Sequence, residues 1–92
     1  MPKVYYLHDR ISPMKEAIGK VTFPKGYTIQ ATTMEWFWKI KKDNKEVGTL
    51  DASLSTIFLK DNDEQEVVTE IAKALEKAHT GKVEIEIIIN IK

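Results

Sequence analysis

The chain reads as an α+β domain: a mostly antiparallel sheet of five to seven strands, one long helix over residues 63–80 packed on one face, and a C-terminal strand over residues 82–91. Three observations predict this. Val67, Val68, Ile71, Ala72, Leu75 and Ala78 recur at the spacing of one apolar helical stripe. From Lys82 the period drops to two, with Val83, Ile85, Ile87, Ile89 and Ile91 on one face. The first sixty residues break into short apolar alternations separated by turn residues, so the order is strands, then helix, then strand.

Taken in order, Val4, Tyr6 and His8 alternate with Tyr5 and Leu7, which predicts a first strand over residues 3–8. Ser12 and Pro13 suit a helix opening, but the segment 13–18 before Gly19 is too short to be a stable helix by itself. Pro24, Lys25 and Gly26 form good turn chemistry between residues 21–23 and 27–29, with Phe23 expected opposite Tyr27 and Val21 opposite Ile29. Residues 34–42 form the next strand, with Met34, Trp36, Trp38 and Ile40 on one face and Glu35, Phe37, Lys39 and Lys41 on the other. Asp43 and Asn44 fit a two-residue type I′ turn, which pairs Ile40 with Val47, Trp38 with Thr49 and Phe37 with Leu50. Residues 54–60 form a further strand. If it neighbours the tail strand, the helix between them is a right-handed crossover.

Asp63 is the expected N-cap of the helix, with Glu66 three residues on as an acidic capping box. Gly81 is the expected stop, in left-handed conformation, with His79 in the last turn where the helix dipole favours a cation. Glu66, Glu70, Lys73, Glu76 and Lys77 occupy the solvated face. Ile88 stands among Glu84, Glu86 and Asn90 on the polar face of the tail strand, which suggests that the centre of that face is covered too.

Ninety-two residues make a single domain, 1–92, with a modest margin of buried surface. No cysteine is present, which excludes a disulfide framework, a thiolate nucleophile and a zinc knuckle. No apolar run reaches the length of a secretion signal or a membrane span, so the expected location is cytoplasmic and no membrane partner is expected. Net charge is zero, yet residues 1–60 carry a balance of +4 and residues 61–92 a balance of −4. A solvated acidic helix face accounts for that; a surface that steers a partner or a second copy is the sharper reading.

No constellation specifies a reaction. The expected catalytic, cofactor and metal sets are empty, and no cofactor is called for. His8, Asp9 and Arg10 form the one cluster of imidazole, carboxylate and guanidinium, but neighbours on a strand point to opposite faces. His8, Arg10 and His79 are therefore weak candidates for a small metal-independent hydrolase or nuclease. Asp61, Asn62, Asp63 and Glu64 lack the glycine and ligand spacing of a calcium loop. Ser53 and Ser55 lack elbow glycines, and the four glycines are too scattered for a phosphate loop. Trp36 and Trp38, alternating with Met34 and Ile40, suit a core. Phe37, Lys39, Lys41 and Lys42 are the candidate surface contact, since interleaved aromatic and basic groups can stack bases and hold phosphates. Zero net charge disfavours nucleic acid as the main partner. The expected role is a small non-enzymatic interaction module, an accessory factor for protein binding. It would act as a homo-oligomer, such as a homodimer through a sheet edge or helix face, or on another protein.

Overall fold

The structure is a computed structural model that describes residues 6–89, with side chains from residue 11 onward. Among the described residues it is α+β, with two helices and five strands. In chain order these are α1 (Tyr6–Lys20), β1 (Tyr27–Ala31), β2 (Phe37–Lys42), β3 (Lys45–Asp51), β4 (Thr56–Leu59), α2 (Gln65–Ala78) and β5 (Glu86–Ile89). The strands lie in the order β1-β2-β3-β4-β5. The first three pairings are antiparallel, and β5 runs parallel to β4 on the far side of the α2 connection. The sheet is thus mixed rather than mostly antiparallel throughout, and β4 and β5, shorter than the expected 54–60 and 82–91, are neighbours with residues 82–85 outside the strand.

The long helix forms, slightly shorter than the expected 63–80, and buries Val68, Ile71, Ala72 and Leu75. Each large aliphatic chain so buried stabilises the fold by about 1.5–3 kcal/mol. Its cap differs from expectation. Glu64, not Asp63, is the cap residue and makes no side-chain cap bond; its carboxylate accepts instead from the Tyr27 hydroxyl. Asp61 Oδ1 accepts from the Asp63 amide at 2.9 Å, closing the approach to the helix. At the other end Gly81 does not take the left-handed conformation. His79 turns the chain into extended geometry, with its amide still donating to the Leu75 carbonyl at 2.9 Å.

A second helix replaces the expected first strand. Tyr6, Leu7 and His8 lie in α1, while residues 3–5 of that expected strand, and residues 90–92 of the tail, lie outside the described residues. Ile11, Met14 and Ala17, three residues apart, are buried at 8%, 1% and 0% exposure, and this helical period overrides the short alternation before it. Pro13 sits inside the helix rather than at its start.

The turn at Pro24 to Gly26 forms, with the Tyr27 amide donating to the Pro24 carbonyl at 3.0 Å and Gly26 at φ 87°. Residues 21–23 are not a strand, however. Val21 and Phe23 pack against the core, and β1 pairs with β2 instead, Ile29 opposite Ile40. The Asp43 and Asn44 turn has positive φ at both residues, 51° and 70°, as a type I′ turn requires. The expected register holds at Lys41 opposite Glu46. A bulge after Ile40 then shifts it by one, setting Ile40 opposite Gly48, Trp38 opposite Leu50 and Phe37 opposite Asp51.

Trp38, Ile40, Leu50, Ile57 and Leu59 on the sheet meet Met14 and Ala17 of α1 and the buried row of α2 in one core. Trp38 is core, and Trp36 is half-buried against it. Met34, expected on that face, is 49% exposed because the strand begins only at Phe37. Both helices therefore lie on the Trp38 face.

Candidate functional site

Pairing registers define what the other face presents. The row Gln30, Lys39, Thr49, Phe58 and Ile88 crosses all five strands, and Phe37, Asp51, Thr56 and Glu86 run beside it. Lys41 and Glu46 follow on the turn side. Among the described residues no helix packs on this face, because the apolar stripes of α1 and α2 are both spent on the opposite one. Phe37 and Phe58 are half-buried by their neighbours, and Ile88 is 41% exposed. Among the described residues nothing covers Ile88, and β5 lies at an edge of the sheet.

Of the candidate contacts, Phe37, Lys39 and Lys41 share this open face, whereas Lys42 does not. Lys42 pairs with Tyr27 across β1, lies 5.6 Å from the Tyr27 ring centroid and 3.8 Å from Glu64 Oε1. Period two had already set it with Ile40. On the open face Glu46 reaches both Lys39 and Lys60 at 3.8 Å, so that part of the face is internally compensated.

Burial first, then the bond to Glu64 and the charges of Glu64 and Asp43, push the Tyr27 phenol up to about 12. Around this cluster lies an open depression of about 530 Å³, lined by Lys42, Lys45, Lys60, Asp61, Asp63 and Glu64 among others. Five carboxylates (Asp43, Glu46, Asp61, Asp63 and Glu64) outnumber three lysines there, so the depression is acidic on balance. Among the described residues no group of three or more His, Asp or Glu could hold a metal ion.

His8 and Arg10 lie on α1, with side chains outside the described residues. The His79 Nδ1 donates to the Gly81 carbonyl at 2.5 Å, on the rim of a cavity with Met14, Ala52 and Ser55. No helix among the described residues is long and apolar enough to cross a membrane.

Among the described residues β1 and β5 are the two edge strands, and that β5 is one of them was not legible in the sequence. In the parallel ladder Glu86 donates its amide to the Ser55 carbonyl at 3.0 Å, so Glu86 and Ile88 turn their backbone groups toward β4. Ile85, Ile87 and Ile89 turn theirs outward. The Ile85 amide donates to Glu76 Oε2 at 2.6 Å. Among the described residues nothing is bonded to the outward groups of Ile87 and Ile89.

Comparison with known protein families, with curated proteins and with solved structures returned no match to this chain.

Proposed function

We propose that the protein is a small non-enzymatic interaction module whose working surface is its sheet, acting on itself or on another protein. The observation that supports this reading is the sheet face that no described helix covers, where half-buried Phe37 and Phe58 and exposed Ile88 lie near an edge strand with one described neighbour. Soluble monomers rarely leave apolar side chains grouped on a flat sheet unless something docks there. The test compares wild type with Phe37→Ser/Phe58→Ser, both checked for folding by circular dichroism. One arm measures self-association by sedimentation. The other measures capture of proteins from an extract of the source cell. Loss of association by at least tenfold in the variant supports the reading. Equal behaviour of the two proteins in both arms overturns it.

A second reading, single-stranded nucleic-acid binding, is favoured by Phe37, Lys39 and Lys41 sharing one uncovered face. Zero net charge and the Lys39–Glu46 pair weigh against it. Titration of labelled oligonucleotides at low salt tests it: Lys39→Glu/Lys41→Glu should abolish any binding that uses this face.

A further inference from the structure

We infer that the cavity between α1, the β3–β4 turn and the chain leaving α2 binds a free α-amino acid with an apolar side chain. The site uses none of the sheet-face residues, so it goes beyond the interaction reading above and stands or falls separately.

The cavity holds about 330 Å³, within the range of small-molecule sites. Its floor is apolar: Met14 and Ala52 are core residues at 1% and 0% exposure, and Val83 is half-buried beside them. Its polar lining is Ser55, His79, Lys82 and Glu84. Among the described residues no hydrogen bond or ion pair engages the Ser55 hydroxyl, His79 Nε2, the Lys82 ammonium or the Glu84 carboxylate. The backbone around these groups is held in place. Ser55 takes a left-handed conformation at φ 51°, and its carbonyl accepts from the Glu86 amide at 3.0 Å. The run carrying Lys82 and Glu84 is tied at one end by His79 to Gly81 and at the other by Glu76 to Ile85. A site whose frame is fixed beforehand loses less entropy on binding.

The balance of donors and acceptors selects the ligand. His79 Nδ1 donates to the Gly81 carbonyl at 2.5 Å. The neutral ring therefore keeps its proton on Nδ1 and presents Nε2 as an acceptor. Lys82 and Glu84 line the same cavity two residues apart, so their Cα atoms are separated by at most about 7 Å. An α-amino acid carries its ammonium and carboxylate on one carbon and fits between two such charges. Its ammonium donates to the Glu84 carboxylate and His79 Nε2; its carboxylate accepts from the Lys82 ammonium and the Ser55 hydroxyl. A simple anion would bring a like charge toward Glu84, and a simple amine would bring one toward Lys82. The apolar side chain lies against Met14, Ala52 and Val83.

Titration of the full chain with L-leucine, followed by amide chemical shifts, should saturate with a Kd of about 1 mM or tighter. The shifts should gather at Ser55 and residues 81–84. N-acetyl-L-leucine lacks the ammonium and L-leucinamide lacks the carboxylate, and each should bind about tenfold more weakly or worse. Lys82 and Glu84 are exposed, so Lys82→Ala and Glu84→Ala should stay folded by circular dichroism. Each should weaken leucine binding about tenfold or more. The folded Phe37→Ser/Phe58→Ser protein should bind leucine as wild type does, which separates this site from the sheet face. No saturable shift with L-leucine, L-valine or L-methionine at about 10 mM, tenfold above that Kd, overturns the proposal. So does N-acetyl-L-leucine or L-leucinamide binding as tightly as L-leucine, since one charge would then suffice. Unchanged leucine binding in either alanine variant overturns it too.

Discussion

Glu76 and Ile85 are joined across nine residues of chain by a bond from the Ile85 amide to Glu76 Oε2 at 2.6 Å, with both residues partly buried. This bond fixes where the chain leaving α2 enters β5. A charge-assisted bond of this kind contributes about 1–2 kcal/mol at a partly solvated site. Glu76→Ala should lower stability by that amount in urea denaturation and speed hydrogen exchange at the Ile85 amide. Glu76→Gln, which keeps an acceptor oxygen, should recover part of the loss. Unchanged exchange at Ile85 in the alanine variant would count against the bond.

The Tyr27 phenol is the second anchor of α2, through Glu64 at its first turn. Burial foremost, then Glu64 and Asp43, raise its pKa to about 12 from the ordinary value of 10.0. The sign follows from which state holds the proton more tightly. Here it is the folded state, so the contribution is complete below the unfolded value and fades as pH rises toward about 12. Wild type should therefore lose stability faster than Tyr27→Phe between those two values, measured by denaturant unfolding. In a Tyr5→Phe/Tyr6→Phe background, ultraviolet titration of the remaining phenol should give a midpoint near 12. Glu64→Gln should bring it down without restoring the ordinary value, because burial persists.

Gly48 sits where the β2–β3 register slips, opposite Ile40 on one side and Leu59 on the other. A Cβ there would stand 2.6 Å from the Phe58 carbonyl oxygen and 2.9 Å from Leu59 Cδ2. The Leu59 methyl could turn aside, but the carbonyl belongs to the ladder and cannot. Gly48→Ala should cost about 1–3 kcal/mol, as overpacking does in tight cores, read as a lower denaturation midpoint. Gly19→Ala makes a fair control, since nothing lies within 4 Å of its added Cβ.

What the residues disclosed in advance follows from how local each signal is. The stripe from Val67 to Ala78 is a self-contained periodic signal and was legible, and the alternation expected over residues 82–91 was legible in part, since the strand spans Glu86–Ile89 and residues 82–85 lie outside it. The positive φ at Asp43 and Asn44 was legible from turn chemistry. The register beyond Ile40 was not, because a bulge is set by packing between strands rather than by the loop that joins them. Glu64 and Glu76 read as solvated or capping carboxylates, yet each is engaged by a distant part of the chain, Tyr27 and Ile85. For the candidate surface, alternation put Phe37, Lys39 and Lys41 together correctly. That β5 is an edge depends on strand order, which no local pattern encodes.

Pro13 lies inside α1 and weakens it. Proline has no amide hydrogen, so the bond that residue 13 would give to the carbonyl four residues earlier is missing from the middle of α1. Its ring also crowds that carbonyl, and an interior proline costs about 3 kcal/mol relative to alanine. The flanking residues Ile11, Met14 and Ala17 are buried, so tertiary packing holds the helix together across the gap. Pro13 itself is partly exposed, and alanine there removes little contact. Pro13→Ala should therefore stabilise the protein, by about 1–3 kcal/mol once the greater freedom of the unfolded chain is set against the gain. Thermal and urea unfolding would both report it. A variant less stable than wild type would show that Pro13 contributes more through its packing and its restriction of the unfolded chain than the helix loses through its missing amide.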